Sequence, residues 1–141
     1  MSQYKTIYLA SALITNSAGD MLTVRKRGSI YYMMAGGKIE IGETPVEALV
    51  RELKEELNLA VIPTDLHYLG THQTQAVNEP NTLVHATVFH LTTSSTSFIP
   101  QAELEEIKWL TYTTYLDVPL AHLLKEFSVP LWLKQKNPSD D

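Results

Sequence analysis

Cysteine is absent from the 141 residues. That excludes a disulfide scaffold, a zinc–thiolate site and a thiol nucleophile, and it fits a reducing cytosol. Long apolar runs are missing too. Leu9 to Ile14 is apolar but short, and Ser11 interrupts it, whereas a membrane span needs about 18–20 such residues. Met1-Ser2-Gln3-Tyr4-Lys5 is no basic segment leading into an apolar stretch, so no signal peptide is expected. A basic excess is also lacking. Lys and Arg number 11 against 16 Asp and Glu, and the net charge is −5. The chain therefore carries no general electrostatic footprint for a nucleic-acid polymer. An acidic protein acting on an anionic substrate would need a cation between them, so the acidic clusters are the place to look.

What is there can build a core. Hydrophobic residues make up 44% and charged residues 19%, an ordinary globular balance. No repeat or low-complexity tract appears. Residues 1–136 are expected to form a single domain, and 137–141 (Asn137-Pro138-Ser139-Asp140-Asp141) read as a frayed, disordered tail.

Tyr4 to Thr15 is rich in β-branched and aromatic residues, and Met21 to Arg27 alternates apolar with polar. The turn cluster Asn16 to Asp20 between them predicts a hairpin. A short run from Ile30 to Met34 leads to Gly36-Gly37. The clearest helix follows. Thr44 is its N-cap, Pro45 its first position, and Glu47 completes a capping box. Val46, Leu49, Val50, Leu53 and Leu57 keep a 3.6-residue period, and Asn58 is suited to a left-handed ending. Further strands are expected at Leu66–Gln73, Thr82–Leu91 and Ile107–Tyr112. A second helix is predicted from Asp117 to Phe127 and a short third from Ser128 to Lys134. Strands and helices in this order make an α/β protein with a mixed sheet.

On the polar face of the first helix, Glu52, Glu55 and Glu56 stand at i, i+3 and i+4, within about a 100° arc. Like charges so placed repel, and a hard divalent cation reverses that sign. Taken alone, such a face is more often simply solvated. Its setting argues otherwise. Arg51 stands beside it, and three glycines and two glutamates fall within Ala35 to Glu43. A plain connection rarely needs three glycines, which let backbone approach a metal or phosphate.

Gly37, then five residues, Glu43, then seven residues, then Arg51-Glu52-Leu53-Lys54-Glu55-Glu56-Leu57-Asn58-Leu59 resembles the Nudix box, G-x5-E-x7-R-E-U-x-E-E-x-G-U with U a bulky apolar residue. Asn58 replaces the last glycine and Ala35 the proline that usually precedes the pair. The likeness, closest to the MutT group, implies a Nudix-like α/β/α sandwich with a mixed β-sheet. It implies a metal-dependent hydrolase that opens a phosphoanhydride bond in a nucleoside diphosphate linked to another moiety, and the lack of cysteine and of a signal peptide makes a cytoplasmic setting the expectation. A (d)NTP is the first expectation. Nucleotide sugars of the ADP-ribose type and dinucleoside polyphosphates are alternatives, and so is a non-catalytic Nudix-fold binding module.

The same resemblance implies residue roles. Glu52, Glu55, Glu56 and the carbonyl of Gly37 would bind Mg²⁺ or Mn²⁺. Glu52, Glu55, Arg51 and Glu103 are the catalytic candidates, with Arg51 and Glu43 read more as organisers and Glu106 as second choice to Glu103. Arg25 and Lys38 are candidates for the phosphates, and Tyr32 for a base. His122 falls where the MutT group reads oxidised guanine with an asparagine, which imidazole cannot copy. Partners would be a small nucleotide, no nucleic-acid polymer and no membrane, with the protein a monomer or homodimer. The other histidines lack metal-ligand spacing, and Glu79 reads as a turn residue.

Overall fold

The computed structural model describes residues 4–95 and 97–136. The expected tail at 137–141 lies outside them. A long first strand, β1 (Lys5–Thr15), is the organising element. One of its edges pairs in parallel with β5 (Thr82–Thr92) along the whole length, from Lys5↔Thr82 to Thr15↔Thr92. Its other edge is shared. Antiparallel β3 (Ala35–Lys38) takes Leu9 to Ala12, and antiparallel β2 (Met21–Lys26) joins it at Thr15↔Met21. The sheet runs β4-β5-β1-β2-β6, with β4 (His67–Gln75) and β6 (Leu104–Leu110) at its ends.

Side chains of β1 alternate between two cores, as a pleated strand requires. Ala10, Ala12 and Ile14 pack under helix α1 (Pro45–Leu57) with Leu49, Leu53 and Leu57. Leu13 packs on the other face with Leu124, Val129 and Trp132. Trp132 is fully buried, stacks on Tyr112 at 4.4 Å between ring centres, and donates from Nε1 to the Gly19 carbonyl at 2.7 Å. Helical segments thus cover both faces of a mixed sheet. No helix of the described residues is long and apolar enough to cross a membrane.

Helix α1 forms as its sequence dictates. Thr44 accepts from the Glu47 N–H, the Glu47 carboxylate accepts from the Thr44 N–H, and Pro45 opens the first turn. Asn58 closes it at φ 52°.

Three expectations need correction. Ile30–Met34 makes only isolated bridges, Val24↔Met33 and Tyr32↔Leu120, and the strand is the glycine-bearing segment β3 itself. The reason is steric. Gly36 sits at φ +144°, and a methyl there would lie 2.1 Å from the Ala10 carbonyl oxygen, so glycine lets the two strands approach. Strand β6 starts at Leu104, which carries Glu105 and Glu106 inside the strand rather than ahead of it. The two predicted C-terminal helices are one. Asp117 ends a 3-10 turn (Tyr115–Asp117), and the helix runs over residues 122–136. It passes through a π turn (Leu124–Ser128) straight into α2 (Val129–Lys136). Pro130 has no N–H to give to the turn before it, and the widened turn accommodates it without a break.

Candidate active site

The capping box and Leu stripe of α1 turn its acidic face toward β3. Glu52 lies so close to Gly37 that a methyl there would stand 2.4 Å from its carboxyl carbon. Glu56 is buried, with 3% of its surface exposed, and accepts from the Gly36 N–H at 3.2 Å. Burial pushes its carboxyl up to about 7, a shift that this hydrogen bond opposes. Burial raises Glu52 as well, against the pull of Arg51. Glu55 is half-exposed on the outer side of the helix.

Arg51 is the hub of this segment. Its Nε and Nη2 grip Glu43 Oε2 and Oε1 at 2.8 and 3.0 Å, Nη2 also donates to the Lys38 carbonyl at 3.0 Å, and Nη1 donates to Glu52 Oε2 at 2.6 Å. Glu55 is a looser neighbour at 3.7 Å. Glu43 Oε1 in turn accepts from the Glu40 N–H at 2.9 Å. One guanidinium therefore ties helix, bend and strand together. The Arg51 hydrogen bonds hold Glu43 down at about 2.

A cleft of about 460 Å³ lies against these groups. At one end it meets Glu52, Glu56, Gly37, Lys38, Lys26 and Glu103. Lys26 and Glu103 form a half-exposed pair at 3.2 Å across from α1. A second hollow on the outside is lined by Glu55 and Arg27 beside Glu52, Glu56 and Glu103. The far end of the cleft is aliphatic, with His122 on its rim.

The structure thus gathers Gly37, Lys38, Glu52, Glu56, Glu103 and His122 on one cleft, with Glu55 on the adjoining hollow. Arg51 stands behind them as their brace. Arg25 and Tyr32 fall outside both linings. They meet at Glu106 instead, which accepts from Tyr32 Oη at 2.6 Å and Arg25 Nε at 3.1 Å. The Tyr32 hydrogen bond, aided by Arg25, lowers Glu106, so this carboxylate is already satisfied away from the box. Strand alternation explains the exchange: with Arg25 turned to Glu106, its neighbour Lys26 faces the cleft. Lys26 and Asn78 are lining residues that the sequence did not single out for the site, the alternation of β2 being the signal for Lys26, and Glu79, read first as a turn residue on a loop that could border the site, lines it too.

As they lie here, no three acidic or histidine side chains among the described residues converge closely enough to grip an ion. The donor chemistry nevertheless suits a hard divalent cation. Glu56 is a buried carboxylate answered by a backbone N–H, and Arg51 is occupied by Glu43. A charge so placed calls for a compensating cation.

A sequence model of the NUDIX domain matches residues 6–129. The chain belongs to the Nudix family. Among curated Nudix relatives, it is 37% identical over 67 residues to an 8-oxo-dGTP diphosphatase of Haemophilus influenzae, covering 45% of this chain and 49% of that protein. It is 40% identical over 58 residues to an RNA pyrophosphohydrolase of Halorhodospira halophila, covering 41% and 31%. The matched stretch spans half or less of either relative. Among solved structures, MutT protein from Methanosarcina mazei superposes with TM-score 0.76 at 19% identity over 94% of this chain and 96% of that one. The E. coli dihydroneopterin triphosphate pyrophosphohydrolase does so with TM-score 0.70 at 20% identity, covering 94% and 96%. At such identities these two likenesses establish the Nudix fold alone.

Proposed function

We propose that this Nudix protein hydrolyses a phosphoanhydride bond in a nucleoside diphosphate linked to a further group, with a (d)NTP as the first substrate class. The observation that carries the reading is the pair of buried-side carboxylates, Glu52 and Glu56, set against Gly36-Gly37 in a cleft that also holds Lys26 and Lys38. Carboxylates and lysines sharing one wall suit a ligand that is a polyanion bridged by a cation. Glu52, Glu55, Glu56 and the Gly37 carbonyl would hold Mg²⁺ or Mn²⁺. When bound, such an ion neutralises the pyrophosphate and makes a water more acidic.

The chain's own groups do the rest. Lys26 and Lys38 draw the phosphates into the cleft as point charges. Arg51 fixes the Glu52 carboxylate, and Glu52 is the group assigned to take the proton of the attacking water. Glu103 faces the same space from the β6 side, beside Lys26, and is the carboxylate best placed to share that work. A small nucleotide rather than a polymer is the ligand on this reading, since a net charge of −5 supplies no basic track along which a strand could lie. The expected setting is the cytoplasm.

The test is a panel of nucleoside triphosphates, nucleotide sugars and dinucleoside polyphosphates, assayed with and without Mg²⁺, with products identified to locate the bond broken. Glu56→Gln is the control. Hydrolysis that ignores both the metal and the variant would remove the proposal.

A further inference from the structure

The far end of the cleft has no assigned role, and its chemistry is specific. Ile7, Leu9, Met34, Val84, Leu123 and Leu124 line it with the His122 imidazole on its rim, and among the described residues no Phe, Tyr or Trp ring does. A planar group there is held by aliphatic contact, and discrimination between such groups falls to whatever polar edge they meet. That edge is the turn between β4 and β5, where Asn78 and Glu79 both line the cleft.

Their hydrogen-bonding character is set by neighbours. The Ser29 hydroxyl accepts from the Tyr31 N–H at 3.0 Å and donates to Asn78 Oδ1 at 3.2 Å. Ser29 is itself buried, and its carbonyl accepts from Arg25 Nη1 at 3.0 Å. With Oδ1 engaged, the amide offers its NH₂ end as a donor. Beside it, Glu79 is a carboxylate and can only accept. Its ion pair with Lys5 at 3.9 Å is loose and half-exposed and fixes little. From the other side, His122 Nδ1 meets the Gln75 carbonyl at 3.1 Å. A carbonyl only accepts, so Nδ1 carries the proton, and this bond anchors the end of β4 from which the turn springs.

We propose that Asn78 and Glu79 are the specificity-determining residues of this cleft, and that they select a base with a lactam edge, a ring carbonyl beside a ring N–H. The proposal rests on the nucleotide reading above. Guanine, hypoxanthine and uracil present a carbonyl to the Asn78 donor and an N–H to the Glu79 acceptor. Guanine adds an amino group for the same carboxylate. Adenine and cytosine present the reverse order, an amino group beside a bare ring nitrogen, and would set that lone pair against the Glu79 charge. Ser29 acts through Asn78 and is a positioning residue.

Nucleoside monophosphates contain no phosphoanhydride bond, so their binding reads the base edge apart from any hydrolysis. Calorimetry or NMR titration of the full chain with GMP, UMP, AMP and CMP is expected to show GMP and UMP binding roughly tenfold more tightly than AMP and CMP. Glu79→Gln should bring that ratio close to one. The double change Asn78→Asp with Glu79→Gln exchanges acceptor for donor and should favour AMP and CMP, an outcome that mere damage does not produce. Ser29→Ala should lower the ratio by a smaller factor, with Ser29→Thr restoring it. Equal binding of all four, or a ratio untouched by Glu79→Gln, overturns the proposal. Lactam preference without metal-dependent hydrolysis of any triphosphate would sink the hydrolase reading and leave this one standing.

Discussion

The two ends of the cleft are built in opposite ways. The box glutamates and glycines of the carboxylate end come from one continuous stretch, β3 through α1, braced by Arg51 to Glu43 and Lys38, with Lys26 and Glu103 added from across the cleft. The aliphatic end is assembled from β1, β5, Met34, the β4–β5 turn and the C-terminal helix, brought together by the parallel β1–β5 pairing and by the packing of that helix on the sheet. A contiguous end has its geometry fixed by local rules such as caps and glycine contacts. A dispersed end depends on topology, and its residues are free to differ without disturbing the other end.

That contrast can be broken by experiment. The largest effect is expected for Glu56→Gln or Glu52→Gln, which should lower metal-dependent hydrolysis roughly 100- to 10,000-fold while thermal unfolding still shows a folded protein. Near-full activity in both would mean that the contiguous end is not the chemical one.

The two neighbouring glycines should part company. Gly36→Ala drives a methyl into the Ala10 backbone at a positive φ, where neither partner can yield. It should destabilise the fold by roughly 2–4 kcal/mol, read as a Tm lowered by about 10 °C. Gly37→Ala meets the movable end of Glu52 instead. Its Tm should stay nearly unchanged while hydrolysis falls about tenfold or more, since small misplacements of a reacting group are costly. Equal Tm losses in the two variants would refute this division.

Glu56 gives a pH test. Its folded value, about 7, lies above the ordinary 4.5, so the folded protein binds this proton more tightly than the unfolded one. Stability of the metal-free protein should therefore fall as pH rises from about 4.5 to 7, by on the order of 3 kcal/mol, and Glu56→Gln should flatten that fall. Divalent-ion affinity should rise over the same window, because the ligand must lose its proton. Glu43 works in the other direction. Held at about 2, it lends stability above its unfolded value that is lost as pH drops from about 4.5 toward 2. Denaturant midpoints across pH for the wild type, Glu56→Gln and Glu43→Gln would resolve the two limbs.

The smallest effect is expected for Tyr32→Phe. Its hydroxyl serves Glu106 rather than the cleft, so hydrolysis should stay within about threefold and stability within about 1 kcal/mol. A large loss of activity would return Tyr32 to the site.

Legibility in the sequence followed the same divide. The Thr44 cap, the Pro45 start, the Leu stripe and the Asn58 stop were all readable, because each depends on residues within four positions of one another. So was the acidic face that the helix presents. The partners of Arg25 and Tyr32 were not, because Glu106 reaches them only through the antiparallel β2–β6 register. Nor was the strand character of Gly36, which follows from close contact with β1 rather than from any preference of glycine. Asn78 looked like punctuation between strands, and its tie to Ser29 spans 49 positions that no periodicity connects. Pro130 suggested a boundary, and a π turn removed it.

The full-length parallel pairing of β1 with β5 also bears on how the protein is made. A chain leaving the ribosome completes the capped helix by residue 57, yet the strand that secures the other edge of β1 ends only at Thr92. Bringing such distant strands together is slow, because loop closure must precede the contacts that reward it. The carboxylate-bearing helix can rest on β1 and β3 by then, but the sheet beneath it is expected to stay open along one edge until the fifth strand arrives.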